Sequence, residues 1–510
     1  MHLSIDTPTG PSLSAAAVAQ SDQDDIAALA KGGRTNIFGF LLRLAARLPF
    51  LFIAGRVYGA EALGRFAYAV LVVEFVAQLA TLGLKRGLAG ALSQTERPHN
   101  HVVTDAMVLT LTASLLGAGL LLVFPQAMFP NSGINGLDRL LALIVIAVAG
   151  SDVALAACAY RFDVGATVRA RAIIEPWTIS IAVFVFSFYS RRDGLIMAYA
   201  MAMTAALIAS LIPMVRHYGL PTGWRPNFPR LWRMARRNLP LAAADGVEWG
   251  SRRLDMAILG LFVSPAVIGI YYVAQQVASL PQKLKTSFDP ILGPVITRNL
   301  AENNLAGIAR QVSQVGFWII AAQAGIALAL AIPGEAVMGL VGPNFVGGTG
   351  ALGFLLLAEV IAATAVVSES ALVYIARHRN LMISLGMIAC QAGFSFALIL
   401  GARAIALPPM WVAAAPSLAL CLSLGIGAFV KARLLSRLLD APVNAWRWSL
   451  LSAAGVASLV GAGFVALPQR FEWVELAVGI WAILGAYGFV IWRWGFESED
   501  RALFRKKKVD

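Results

Sequence analysis

Four ionisable residues recur along one stripe of an otherwise apolar stretch. Asp245, Glu248, Arg252 and Asp255 stand at i, i+3, i+7 and i+10, which places them on one face of an α-helix. Glu248 precedes Arg252 by four residues, the favourable order for an ion pair along a helix. That pair leaves Asp245 and Asp255 in excess, and buried acids of this kind bind Na⁺ or take up a proton. The alternative is a self-neutralised stripe that lines a wet cavity.

A second group of charges is cationic. Arg43 and Arg47 lie four residues apart in another apolar run and therefore share a helix face. Two guanidinium groups so placed repel each other unless an anion or acidic side chains lie opposite. Arginine binds phosphate oxygens in a bidentate manner, so a pyrophosphate suits the pair. An ion pair with Glu74 or another buried acid satisfies it equally. Arg253 points away from the stripe of Arg252 and is expected to pair with another helix.

Further acids and the residues of common active sites complete the inventory. Glu74, Glu359 and Glu369 lie in apolar runs and join the three acids of the stripe as candidates for ion coupling. The three cysteines show neither metal-ligand nor disulfide spacing, and the five histidines lie in polar segments without a catalytic partner. We therefore expect no catalytic residue, no metal site and no cofactor beyond a coupling H⁺ or Na⁺.

The elements that carry these charges must cross a membrane. Of 510 residues, 58% are hydrophobic and 14% charged, and the mean hydropathy is +0.72. Soluble domains carry about 25% charged residues, so the composition excludes a soluble enzyme, a nucleic-acid-binding domain and a disordered scaffold. A spanning helix needs about 20 apolar residues. The sequence thus predicts an all-α polytopic membrane protein with fourteen spans: 37–58, 66–84, 103–124, 140–159, 173–189, 195–214, 239–262, 267–289, 313–332, 351–375, 381–401, 411–430, 449–467 and 474–492.

The basic residues orient these spans. With the N-terminus inside, 30 of the 41 Lys and Arg residues fall in inner segments and 7 in outer ones, so both termini are predicted to be cytoplasmic. The basic segment 215–238, which we call the connector, is interpreted as a hinge that lies on the anionic inner leaflet. The alternative is that its positive charge only orients the neighbouring spans. The expected organisation is a flexible tail (1–34), an N lobe of spans one to six (35–214), the basic connector (215–238), a C lobe of spans seven to twelve (239–432), spans thirteen and fourteen (433–494) and a basic tail (495–510).

A short internal repeat relates the two lobes. Residues 64–69 and 269–274 both fit Gly-x-aromatic-x-x-Ala, at an offset of 205. The same offset places Arg47 on Arg252. Internal repeats are common in transporters, whose substrate path lies at the interface between the repeats.

Three segments carry a family resemblance. Residues 55–69 (GRVYGAEALGRFAYA), residues 79–84 (LATLGL), and Arg253-Leu254-Asp255 followed by Leu259-Gly260 and residues 269–272 (GIYY) resemble the polysaccharide transporters. These are the repeat-unit flippases of O-antigen, capsule and exopolysaccharide synthesis. They form a branch of the multidrug/oligosaccharidyl-lipid/polysaccharide flippase superfamily. As topology the resemblance extends over roughly residues 34–494.

The resemblance implies two six-helix lobes around a central cavity that opens alternately to either face. It implies a bacterial inner-membrane protein whose cargo is an oligosaccharide linked through pyrophosphate to a polyprenyl lipid. Spans thirteen and fourteen then lie outside the lobes. By charge character, Arg43, Arg47, Arg252 and Arg253 become candidates for binding the pyrophosphate. A polysaccharide polymerase and a chain-length regulator are the partner proteins it suggests, and no nucleic acid is expected.

Other functions stay open. A peptidoglycan lipid-precursor flippase suits buried arginines and fourteen spans equally. A drug/cation antiporter of the same superfamily calls for an acidic or apolar cavity, which the arginine pair disfavours. A membrane polysaccharide polymerase or ligase needs catalytic groups at the outer face, and the short outer loops offer few. A scaffold without transport leaves the buried charges unexplained.

Overall fold

The computed structural model describes residues 48–285, 296, 300, 304–468 and 471–497. Arg43, Arg47 and the predicted tail over 1–34 lie outside these residues, so the cationic pair of span one has no structural test. Within the described ranges the regular structure is helical, with no strand. The helices are α1 (48–58), α2 (Gly59–Ala80), α3 (Leu84–Ser93), α4 (His99–Val123), α5 (Leu140–Tyr160), α6 (Val164–Ser187), α7 (Gly194–Tyr218), α8 (Phe228–Leu259), α9 (Pro265–Lys285), α10 (Leu305–Ala331), α11 (Gly334–Val341), α12 (Thr349–Ile375), α13 (Arg377–Ala404), α14 (Pro409–Leu439), α15 (Trp448–Val465) and α16 (Glu472–Gly495).

The fourteen predicted spans all have a helical counterpart, in whole or in part. Eleven helical stretches are long and apolar enough to cross a membrane, and one of these, Leu48–Ser93, includes the first two spans. Helices α8 and α9 are long enough but more polar, because they carry the charged stripe and the Gln275-Gln276 pair. The chain is thus an all-α, multi-pass membrane protein, as predicted.

Two helices begin before the spans predicted for them. Spans one and two are not separated by a loop over 59–65, since Gly59, at φ +83°, redirects the chain and α2 begins at that residue. Alanine, glutamate and leucine dominate residues 60–63, and all are good helix formers. Helix α8 starts at Phe228, within the predicted connector, and the Asn227 side chain caps the helix by accepting from the Arg230 N–H.

The helices pack in two groups. On the N-terminal side α2, α4, α5, α6 and α7 contact one another, and on the C-terminal side α9, α10, α12, α13 and α14 do so. Helices α15 and α16 pack together and against α10. Helix α8 contacts both groups, with α2 and α3 on one side and α13 and α14 on the other. We call the two groups the N lobe and the C lobe; α8 therefore lies where an inter-lobe site has to be built.

The segment that joins the lobes is anchored to the N lobe. Between α7 and α8 only residues 219–227 are non-helical. The buried Asp105 of α4 accepts from the Trp224 indole at 2.8 Å and forms ion pairs with Arg97 at 3.0 Å and Arg230 at 3.2 Å. These contacts fix the 219–227 loop to the end of the bundle that we call the connector end. The end with loops 124–139 and 342–348 is called the opposite end.

At the opposite end α2 crosses α9 without any side chain between the two backbones. A Cβ added at Gly64 would lie 1.7 Å from the Pro265 carbonyl oxygen, and one added at Gly269 would lie 2.0 Å from the Ala60 carbonyl oxygen. Pro265 follows Ala60, and Gly269 follows Gly64, at the repeat offset of 205. The two copies of the repeat are thus in mutual contact, related by the symmetry that the sequence indicates.

Hydrogen bonds between the lobes support this crossing. Asn131 Nδ2 donates to the carbonyl oxygens of Gly260 and Val263 at 2.8 and 3.0 Å. The Tyr68 hydroxyl donates to the Ala257 carbonyl at 3.3 Å, and Arg56 Nε donates to the Leu340 carbonyl at 3.1 Å. The lobes therefore meet at the opposite end through backbone acceptors, which are set by the positions of the helices.

Candidate functional site

Helix α3 carries two adjacent cations, and one of them, Arg86, lies at the interface between the lobes. After α2, Leu82 and Gly83 both adopt positive φ angles, at 50° and 71°, and turn the chain into α3. A Cβ at Gly87 would lie 1.7 Å from Asn238 Oδ1, so α3 lies directly against α8. Lys85 and Arg86, side by side in the first turn of α3, then face different partners.

Arg86 binds the charged stripe of α8. Its Nε lies 2.7 Å from Asp245 Oδ1, and its Nη2 lies 2.5 Å from Glu248 Oε2. The other Glu248 oxygen accepts from Arg252 Nη2 at 2.9 Å, which confirms the ion pair predicted from the i, i+4 spacing. We call Arg86, Asp245, Glu248 and Arg252 the interface cluster.

Solvent exposure divides the interface cluster into a buried and an open part. The Asp245 side chain is 2% exposed, whereas those of Arg86, Glu248 and Arg252 are 51%, 48% and 63% exposed. A buried carboxylate is costly unless it is paired, so Arg86 is what makes the charge of Asp245 tolerable. The predicted excess of acid at Asp245 is therefore absent. The interface cluster is formally neutral, and its open part combines Arg86 of α3 with Arg252 of α8 around the Glu248 carboxylate.

Lys85 joins a second set of charges inside the N lobe. Its Nζ lies 3.1 Å from Asp152 Oδ2, and Asp152 also pairs with Arg171. Arg171 binds Glu175 at 2.7 Å and the Ser151 hydroxyl at 2.6 Å. The four charged groups balance, so this set is a structural network that holds α3, α5 and α6 together.

Asp255 lies apart from the interface cluster. It is buried near the opposite end of α8, where its carboxylate accepts from the Tyr271 hydroxyl at 2.5 Å and from Gln275 Nε2 at 3.3 Å. Both donors belong to α9. Within the described part of the chain no basic side chain lies at ion-pair distance from Asp255. The excess acid that the sequence predicts in this stripe is thus found at Asp255, surrounded by neutral donors.

The remaining candidates are dispersed. Glu74 accepts from the Tyr199 hydroxyl at 3.4 Å inside the N lobe. Glu359 is partly buried in α12. On the same helix Glu369 pairs with Lys431 at 3.1 Å. The predicted ion-coupling residues therefore do not converge on one site.

Two further basic residues, Lys431 and Arg253, lie in different surroundings. Lys431 is almost fully buried in α14, and its Nζ also donates to the Ser384 hydroxyl at 3.1 Å. Among the described residues Arg253 forms no ion pair with another helix, and its guanidinium carbon lies 6.0 Å from the centre of the Trp249 ring, one turn away on α8.

Three cations form ion pairs in the structure that the sequence did not predict, because the sequence assigns them to inner loops. Arg86, Arg171 and Lys431 all follow an apolar run, where basic residues are expected for topological reasons alone. One signal for Arg86 exists: Leu84, Leu88 and Leu92 are spaced by four, which predicts a helix with an apolar face. All three leucines are buried. A cation on a helix whose apolar face is packed against other helices lies close to their side chains. Such a cation should not be treated as a residue of a solvated loop.

The helical arrangement is similar to that of solved transporters, among them members of the multidrug/oligosaccharidyl-lipid/polysaccharide (MOP) superfamily. An inward closed structure of the lipid II flippase MurJ superposes with a TM-score of 0.63 at 12% identity, over 92% of this chain and 100% of that one. An inward-facing MATE multidrug resistance transporter of the MOP superfamily gives 0.60 at 14% identity, over 78% and 95%. An outward-facing MATE transporter gives 0.52 at 12% identity, over 80% and 95%.

The chain belongs to the polysaccharide biosynthesis protein family, whose sequence pattern it matches over residues 46–329. This stretch contains the interface cluster, the N-lobe network and Asp255. No curated protein matches the full sequence.

Proposed function

We propose that the protein is a flippase that moves polyprenyl-pyrophosphate-linked oligosaccharide repeat units across the bacterial inner membrane, for synthesis of a surface polysaccharide. The observation that carries this proposal is the interface cluster. It sets two half-exposed arginines, from α3 and α8, on the face between the lobes of a MOP fold. The family match to polysaccharide biosynthesis supplies the class of cargo.

The interface cluster has the chemistry to recognise a pyrophosphate. Arg86 and Arg252 bind opposite oxygens of the Glu248 carboxylate, which occupies the place between two guanidinium forks. A phosphate group offers the same acceptors with more charge, and arginine binds it in a bidentate manner. We infer that the pyrophosphate displaces Glu248 from between the arginines, while the buried Asp245 keeps Arg86 in position.

Transport across the membrane requires that the cluster be reached from alternate sides. In this structure the backbones of α2 and α9 are in contact at the opposite end, and we infer that this crossing closes the end. The connector end carries most of the basic loop residues and is assigned to the cytoplasm by the positive-inside rule. The cargo would therefore enter from the cytoplasmic leaflet, and separation of α2 from α9 would release it on the outer side.

Asp255 is the residue that we propose for ion coupling. An unpaired charge in the membrane interior is costly, so a buried carboxylate among neutral donors favours the uptake of H⁺ or Na⁺. Its partners Tyr271 and Gln275 are on α9, which forms the crossing with α2. Binding of a cation at Asp255 would alter the contact between α8 and α9 and so bias the opening of the opposite end.

Arg252→Gln tests the cargo site with little risk to folding. Arg252 pairs only with the half-exposed Glu248 among the described residues, and exposed ion pairs contribute at most about 1 kcal/mol to stability. Loss of a charge-assisted contact to phosphate costs about 1.5–3 kcal/mol, so transport should fall roughly 10-fold or more. Arg139→Gln is the matched control, because Arg139 is exposed at the opposite end and forms no ion pair among described residues.

The readout is made in the native host, at equal protein level. We expect Arg252→Gln to lower surface polysaccharide and to raise lipid-linked oligosaccharide on the cytoplasmic face. Intermediates that accumulate on the outer face would instead favour a polymerase or ligase. Unchanged polymer and intermediates would show that Arg252 does not bind the cargo.

A further inference from the structure

A groove at the connector end of the C lobe combines cations with apolar side chains. It lies between the start of α13 and the end of α14 and has a volume of about 490 Å³. No lining residue belongs to α8 or to the N lobe, so the groove is separate from the interface cluster. The lining residues are His378, Arg379, Met382, Ile383, Phe429, Val430, Arg433, Leu434 and Arg437.

The cationic and the apolar side chains of the groove lie at different positions along the helix axes. Arg379 lies in the first turn of α13, and Arg437 in the last turn of α14, so these cations stand at the ends of the helices. Met382 is about one turn further into α13 than Arg379, and Phe429 precedes Arg437 by about two turns of α14. At 1.5 Å per residue, Phe429 lies roughly 12 Å from Arg437 along the helix axis. The groove is therefore cationic where the helices end and apolar further into the bundle.

The cations of the groove have no acidic partners among the residues that the structure describes. Within the described ranges Arg379, Arg433 and Arg437 form no ion pair, and no acid lines the groove. The guanidinium carbon of Arg433 lies 5.8 Å from the centre of the Phe429 ring, so this side chain stays beside the apolar part. Met382 and Phe429 are themselves 69% and 63% exposed, an apolar surface that needs a hydrocarbon cover.

We propose that this groove binds an anionic phospholipid from the leaflet at the connector end. The phosphate would lie among Arg379, Arg433 and Arg437, and an acyl chain would run along Met382 and Phe429. Charge complementarity requires an anion, and the apolar depth requires a chain attached to it; an anionic lipid meets both demands. Basic pockets between spanning helices on this side of a membrane suit such head groups.

The test uses the full-length protein and measures bound lipid by native mass spectrometry. Phosphatidylglycerol is compared with phosphatidylcholine of the same acyl chains. The triple variant Arg379→Gln, Arg433→Gln, Arg437→Gln should weaken phosphatidylglycerol binding by about 100-fold, at about fivefold for each arginine. The matched control is Arg216→Gln, Arg225→Gln, Arg236→Gln, which removes the same charge from exposed positions at the same end.

Two further arms identify the ligand chemistry. Phe429→Ala should also weaken phosphatidylglycerol binding, and glycerophosphoglycerol, which has the head group without acyl chains, should not compete. The proposal is overturned if phosphatidylcholine binds equally well, or if both triple variants lose binding to the same extent. It is also overturned if the free head group competes, because the groove would then be a site for soluble phosphates.

Discussion

The α2–α9 crossing gives the most precise structural prediction. In Gly64→Ala the new Cβ would lie 1.7 Å from the Pro265 carbonyl oxygen and 2.6 Å from the Gly269 nitrogen. Both atoms belong to backbone and cannot rotate away. An ordinary contact needs about 3.4 Å, so the two helices must separate by roughly 1.7 Å before one methyl group fits.

This separation penalises only the state in which the opposite end is closed. Overpacking a close contact costs roughly 1–3 kcal/mol. A bias of that size changes the ratio of two conformations by about 5- to 150-fold. Gly64→Ala is therefore expected to populate a conformation in which α2 and α9 are apart.

Spin labels on the two lobes measure this shift. Labels at Gly136→Cys and Ser264→Cys would flank the crossing, in a background without the native cysteines Cys158, Cys390 and Cys421. The distance distribution should move to longer values in Gly64→Ala.

The matched control is Gly353→Ala in α12. A Cβ at Gly353 meets no atom within 4 Å, and the change brings the same gain in helix propensity. The reasoning is refuted if Gly64→Ala and Gly353→Ala give the same distance distribution.

Three further outcomes are expected from charged side chains. Asp105→Asn should lower the thermal stability in detergent by the equivalent of about 1.5–3 kcal/mol, because two partly exposed arginines, Arg97 and Arg230, lose a charged acceptor; a loss below about 1 kcal/mol would contradict this. Glu369→Gln should destabilise more than Lys431→Met, since only the former leaves a buried charge unpaired; the reverse order would exclude the ion pair. The hydrogen bond from His217 holds the pKa of Asp163 below its usual range. That contribution to stability is present above the unfolded pKa of about 3.9 and is lost as the pH falls through the folded value. The melting temperatures of His217→Gln and wild type, measured at decreasing pH, should therefore converge below about pH 4.

The sequence predicts what depends on local pattern. Apolar runs locate the spans, because each must be long enough to cross the membrane and hold few charges. The Glu248–Arg252 pair is predictable since both residues lie on one helix, four positions apart. The internal repeat also locates a real contact, as Gly64 and Gly269 meet at the crossing.

The parts that were missed depend on contacts between helices. Arg86 reaches Asp245 only because Leu82 and Gly83 turn α3 onto α8, and no spacing rule gives that direction. The neutral donors of Asp255 come from α9. Lys431 is buried because α14 packs against the helix of Glu369. In each case the partner is distant in sequence. The sequence therefore shows that a residue is charged, but it does not show which residue neutralises it.

The central claim is the translocation of a lipid-linked oligosaccharide, and purified protein in sealed vesicles tests it most directly. A labelled polyprenyl-pyrophosphate oligosaccharide is placed in one leaflet, and its appearance in the other is followed with a membrane-impermeant sugar-oxidising reagent. Imposed H⁺ and Na⁺ gradients are compared. We predict protein-dependent transfer that responds to one of the gradients and falls in Arg252→Gln but not in Arg139→Gln. Transfer no faster than in protein-free vesicles, under either gradient, would contradict the account.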